Sequence, residues 1–141
     1  GCDLVIDYSK ENFVEKVKDF TKGKGVPVVY DGVGEKTFED SIACLKNTGT
    51  MVSFGNSSGP VKNVDVKKHI APKSLFFTRP TLGHYFPNKE LLREAAEILF
   101  KQIKYGKVKI KIFKKYKLEE VVEAHKDLEA RKITGPAIII P

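Results

Sequence analysis

The chain has 141 residues, 41% of them hydrophobic and 10% aromatic, which suffices for one core-forming domain or part of one. This composition excludes disordered, collagenous and low-complexity classes, and no apolar run exceeds four or five residues, so no membrane-spanning helix and no membrane partner are expected. Lysine and arginine number 25 against 18 acids; the net charge of +7 favours polyanions in general.

The sequence opens at Gly1 without an initiator Met and enters an apolar run, Leu4-Val5-Ile6, almost at once, which reads as a piece cut from a longer protein. Asp3–Tyr8 is the first expected strand. Glu11–Lys22, with Phe13, Val17 and Phe20 at helical spacing, predicts a helix, Ser9 and Gly23 serving as its start and stop signals. Val26–Tyr30 follows as a buried strand closed by Asp31-Gly32. Lys36–Lys46 places Phe38, Ile42 and Leu45 on one helical face, with Gly49 as terminator. Thr50–Phe54 is a third strand, leading into Gly55-Asn56-Ser57-Ser58-Gly59-Pro60, and Ser74–Thr78 a fourth. Strands separated by helices of this length predict parallel βαβ units and an α/β fold.

The second half differs. Asn88 caps a long helix whose Leu91, Leu92, Ala95, Leu99 and Ile103 form an apolar stripe, ended by Gly106. Lys107, Lys109 and Lys111 alternate with Val108, Ile110 and Ile112, the pattern of a half-buried strand with a lysine-coated outer face. Such a face is ordinarily a solvated edge. A nucleic-acid groove would interleave more aromatics and arginines than Phe113 and Tyr116 provide. Leu118, Val121, Val122, His125 and Leu128 mark a further amphipathic helix, with His125 expected in the packed core, before a final strand at Ala137–Ile140.

Parallel sheets bind ligands at the carboxyl ends of their strands, so three loops matter most. They are Asp31-Gly32-Val33-Gly34, where glycines permit close backbone approach; Phe54 to Gly59, rich in small polar residues; and Thr78-Arg79-Pro80. Thr21-Lys22-Gly23-Lys24-Gly25 precedes a strand and is no P-loop. Cys2, Cys44, His69, His84 and His125 show no metal-ligand spacing, and no nucleophile–base pair is legible. The two cysteines, without CxxC or histidine partners, suit a reducing cytoplasm.

Several segments taken in order carry a family resemblance: Val5-Ile6-Asp7-Tyr8, Val28 to Gly34, Gly49 to Gly59 and Leu75 to Pro80. With Ala124-His125, Leu128 to Arg131 and Ile138 to Pro141, they resemble the zinc-independent, NADPH-dependent quinone oxidoreductases, the zeta-crystallin-like branch of the medium-chain dehydrogenase/reductase superfamily. The resemblance covers all of residues 1–141. It implies strands three to six of a Rossmann-type sheet with flanking helices over about 1–106, then a C-terminal helix–strand return segment over about 107–141.

It further implies a fragment without the family's catalytic domain and glycine-rich phosphate loop, inactive alone, whose parent passes hydride from NADPH to a quinone. An enone or alkenal reductase of the same superfamily and a basic nucleic-acid-binding module are the alternatives. By position, Tyr8 resembles the residue beside the adenosine 2′-phosphate, and Gly32 and Gly34 would border the adenosine. Phe54, Gly55, Asn56 and Ser57 would line the nicotinamide half; Phe77, Thr78 and Arg79 would stand at the nicotinamide and quinone, Arg79 also touching substrate; Arg131 would contact cofactor. No catalytic side chain and no metal are implied. In the family's strand order the first strand here lacks its neighbours, so it is expected to pair directly with Val26–Tyr30 or with another chain. Ser74–Thr78 is the expected homodimer edge.

Overall fold

A computed structural model describes residues 2–141, which form two compact units, one ending at Tyr85 and the other spanning Phe86–Pro141. No helix among the described residues is long and apolar enough to cross a membrane.

The first unit opens with helix α1, Phe13–Phe20. Its N-cap is Asn12, whose Oδ1 accepts from Val14 N at 2.9 Å and Glu15 N at 3.3 Å. Ser9, the expected start signal, instead folds back on Asp7, its hydroxyl donating to Oδ1 at 2.6 Å. The helix ends where Gly23 N donates to Lys18 O at 2.7 Å and Lys22 N to Asp19 O at 3.1 Å, a Schellman closure made by left-handed Lys22 and Gly23.

Strands β1 (Val26–Asp31), β2 (Leu45–Ser53) and β3 (Phe76–Thr78) form a parallel sheet in that order, with β2 central. Helix α2, Phe38–Cys44, connects the first two. Phe38 and Ile42 of the expected stripe are core residues of α2, whereas Leu45, expected on the same helical face, is buried as the first residue of β2; all three pack with Met51 and Leu75. Met51 is fully buried, a contribution of roughly 1.5–3 kcal/mol. The α/β parallel architecture expected from the strand–helix alternation is therefore present.

Several boundaries differ from the sequence reading, among them the start of β2, which lies at Leu45 and not at Thr50. Leu4–Ile6 forms no strand, and β1 bonds only to β2 among the described residues. Leu4 and Ile6 face Tyr30 across a hollow of about 310 Å³ instead of pairing with β1, and Val5 is 81% exposed. A lone extended segment has no ladder to close. Gly49 does not end α2. The helix stops at Cys44, where the Lys73 ammonium caps the carbonyls of Ile42, Ala43 and Leu45 at 3.3, 3.0 and 2.6 Å. Gly49 sits in an irregularity of β2, where the register moves from Val26↔Leu45 to Val28↔Thr50. Strand β3 starts late because Ser74, at φ 51°, closes a 3₁₀ turn over Ala71–Lys73. A short helix α3, Leu82–Tyr85, ends the unit.

In the second unit, α4 (Lys89–Lys104) is capped by Asn88, whose Oδ1 accepts from Leu91 N at 2.9 Å. Gly106, at φ 71°, closes it with the Lys107 N to Gln102 O bond of 3.0 Å. No residue of α4 is buried, its apolar stripe included. Strands β4 (Lys114–Lys117) and β5 (Ala137–Ile140) pair in parallel around helix α5, Val121–Glu129, which comes after a 3₁₀ turn at Leu118–Glu120. The lysine-coated strand expected at 107–112 is not formed: Val108, Ile110 and Ile112 are exposed and unpaired among the described residues. Pairing starts only where Phe113 N meets Pro136 O at 2.8 Å, because β5 lies alongside β4 and not alongside the residues ahead of it. Tyr116 and Ala124 are the buried residues here. His125 is exposed, contrary to expectation, because α5 turns Ala124 inward.

Candidate functional site

The site of the first unit is built where β1 and β2 end. Asp31, the last residue of β1, is buried. Its Oδ1 accepts from Val33 N at 2.8 Å and Gly34 N at 2.9 Å; its Oδ2 accepts from Thr37 Oγ1 at 2.8 Å and Ser41 Oγ at 2.7 Å. Burial alone pushes this carboxyl up, but the four donated bonds outweigh it and hold Asp31 below the usual aspartate range. Its main-chain oxygen accepts from Phe54 N at 2.9 Å and Gly55 N at 3.2 Å. One residue thus fixes the loop into α2 and the loop leaving β2.

The two loops interlock through glycine. A Cβ on Gly55 would overlap the main chain of Gly32, and one on Gly34 would overlap Gly59 O. Ser58 ties them further: its N and Oγ both donate to Val33 O at 2.8 Å, and its Oγ accepts from Lys36 N at 3.1 Å. Glu35 N donates to Gly59 O at 3.0 Å.

Beyond β3, Arg79 reaches back over the strand ends. Its Nη1 donates to Ser53 O at 2.8 Å, and Asn56, oriented by its hydrogen-bond partners, accepts from Nη2 at 3.2 Å while donating to Gly55 O at 2.8 Å. Ser53, Asn56, Pro60, Val61, Phe77 and Arg79 line a hollow of about 200 Å³. Phe77 meets Phe38 edge-on at 6.1 Å.

The expected site residues fall into groups. Gly55 joins the loop crossing, and Asn56, Phe77 and Arg79 share the smaller hollow. The exposed Phe54 ring covers Gly32. Tyr8 and Gly32 line the separate 310 Å³ hollow with Phe13 and Tyr30. Ser57 and Thr78 are exposed, whereas Gly34 is buried beneath the loop crossing. Arg131 belongs to the second unit, exposed at φ 55° just past α5. Sequence reasoning missed Asp31, Thr37, Ser41 and Ser58 as braces; an Asp ahead of Gly-Val-Gly is an Asx-turn signal that could have marked the first. A larger hollow of about 780 Å³ lies at the opposite, amino ends of β1 and β2. Lys73 there is committed to carbonyls and Lys18, Lys24 and Lys46 are exposed, so nothing converges in it.

Glycine loops braced at the carboxyl ends of a parallel sheet define an α/β domain of the kind that takes ligands at its strand ends. The chain belongs to the zinc-binding dehydrogenase family, whose model matches residues 1–139. It is 44% identical to a quinone oxidoreductase of Pseudomonas aeruginosa over 141 residues, all of this chain and 43% of that protein. It is 36% identical to a 2-haloacrylate reductase of Burkholderia over 142 residues, all of this chain and 43% of that protein. The crystal structure of Escherichia coli quinone oxidoreductase complexed with NADPH superposes with a TM-score of 0.92 at 43% identity, covering all of this chain and 44% of that one. The chain thus spans less than half the length of these relatives. Among the described residues no three His, Cys, Asp or Glu side chains are placed to hold a metal ion, so the zinc of the family description has no ligand set there.

Proposed function

We propose that this chain is the cofactor-domain portion of an NADPH-dependent quinone oxidoreductase. The observation that carries the reading is the Asp31-braced pair of loops, set in a fold that matches an NADPH-bound relative over the whole chain. Bound NADPH supplies a hydride to the quinone; the protein's part is to place the two. Tyr8 and Gly32, which line one hollow, take the adenosine end, Gly34 borders the adenosine, and Tyr8 stands beside the 2′-phosphate. Phe54, Gly55, Asn56 and Ser57 run along the nicotinamide half, while Phe77, Thr78 and Arg79 face nicotinamide and quinone. No side chain here is assigned as catalytic.

The free edge of β3 is the proposed homodimer seam, and the free thiols Cys2 and Cys44 suit a cytoplasmic setting. A monomer at high concentration in sedimentation would remove the dimer. The haloacrylate reductase relative keeps reduction of an activated C=C bond as the second reading, to be separated by assaying both acceptors on the longer protein.

The deciding experiment titrates the chain with NADPH and with NADH. Saturable binding that favours NADPH supports the reading. A folded chain that binds neither, or both equally, refutes it. The chain by itself is expected to show no quinone-dependent NADPH oxidation.

A further inference from the structure

Residues 60–64 wall the smaller hollow through Pro60, Val61 and Val64. Between Gly59 and Asp65, no backbone–backbone hydrogen bond holds this strap among the described residues. Val61 packs against the core, and Lys62 pairs with Glu35 at 2.8 Å on the surface. The strap therefore depends on its ends: Gly59 O, which accepts from Glu35 N, and Asp65 N, which donates to Nδ1 of His69 at 2.9 Å.

His69 is buried, and its position admits one tautomer. A backbone N–H only donates, so Nδ1 carries the lone pair and Nε2–H donates to Glu39 Oε1 at 3.0 Å. The ring lies edge-on to Phe38 at 5.1 Å, which in turn meets Phe77 of the hollow. Asp65 is bound twice more to the helical turn Val66–Ile70 that carries His69, its Oδ1 accepting from Lys68 N at 3.0 Å and its O from His69 N at 2.8 Å. We infer that His69 is a positioning residue: its Nδ1 holds the Asp65 end of the 60–64 strap and so sets the wall of the hollow proposed to receive the nicotinamide. The inference rests on the cofactor reading above for its function, though not for its geometry.

The charged groups facing the ring are Glu39 of α2 and, from its own turn, Asp65 and Lys68. The Lys68 ammonium chiefly holds Glu39 below the usual glutamate range, so Glu39 stays an ionised acceptor for Nε2–H.

The test compares three variants by amide exchange and NMR, with NADPH as the ligand probe. In His69→Asn the carboxamide oxygen reaches the place of Nδ1 and keeps the tether; His69→Gln reaches the place of Nε2 and keeps only Glu39; His69→Phe keeps neither. Asp65 amide exchange is expected to quicken roughly 3–10-fold in His69→Gln and His69→Phe, with NADPH affinity falling by a similar factor, while His69→Asn stays within about twofold of the original chain. Unchanged exchange in folded His69→Gln, faster exchange without weaker NADPH binding, or His69→Asn behaving like His69→Gln would each overturn the inference. An original chain that binds no NADPH overturns the cofactor reading instead, and the exchange data then judge the tether by themselves.

Discussion

The carboxylate of Asp31 and the hydroxyl of Ser41 meet at 2.7 Å across the turn from β1 into α2, while the carbonyl of Asp31 holds the amides of Phe54 and Gly55 on the next loop. A buried acid that receives four hydrogen bonds organises both loops.

Asp31→Ala leaves two hydroxyls and two amides without their acceptor and is expected to destabilise the first unit by roughly 2–4 kcal/mol in urea denaturation. Asp31→Asn, which keeps the shape but must turn an amine toward donors, should lose less. Because folding lowers the Asp31 pKa, its contribution is complete above the usual aspartate value of about 4 and disappears as pH falls through the lower folded value. Stability measured against pH should therefore lose part of its acid limb in Asp31→Asn.

Gly55→Ala would force the loops leaving β1 and β2 apart, since its Cβ overlaps the Gly32 main chain. A loss of about 2 kcal/mol or more is expected, together with loss of NADPH binding. Gly83→Ala, with nothing within 4 Å of its Cβ, is the matched control and should leave both unchanged.

Arg79→Lys keeps the charge but cannot bridge Ser53 O and Asn56 Oδ1 at once. Affinity for NADPH or for the acceptor should fall roughly tenfold while the urea midpoint stays put. A midpoint that drops with affinity would make Arg79 a brace of the fold.

Tyr116, buried on β4, donates its hydroxyl to Asp127 Oδ2 at 2.9 Å beneath the Lys114 ammonium, 4.3 Å from its ring centre. Burial first, and the Asp127 carboxylate second, push the phenol up. A raised folded pKa means the stabilisation is whole below the unfolded value of about 10 and disappears as pH rises through the folded one. An absorbance titration should show a late phenol step that Tyr116→Phe removes.

Features whose hydrogen bonds close within a few residues are legible in the amino-acid sequence itself. Asn88 caps α4 because its side chain reaches an amide three residues on, and Gly106 ends it because the left-handed turn there suits glycine. Phe38 and Ile42 of α2 and the loops bearing Gly32, Gly55, Asn56 and Arg79 are likewise readable, from periodicity and from turn residues at strand ends.

Tertiary structure decided the rest, because the deciding partner lies far along the chain. Leu4–Ile6 and Val108–Ile112 have strand-like patterns, yet a strand exists only where another strand bonds to it, and none bonds to either segment among the described residues. Lys114–Lys117 is a strand because Ala137–Ile140 lies against it. Spacing alone assigns His125 to a core; packing exposes it and buries His69 against Glu39, thirty residues away in sequence. Local rules place caps, turns and stripes, whereas strand pairing and the burial of a polar ring depend on contacts that only the folded chain brings together.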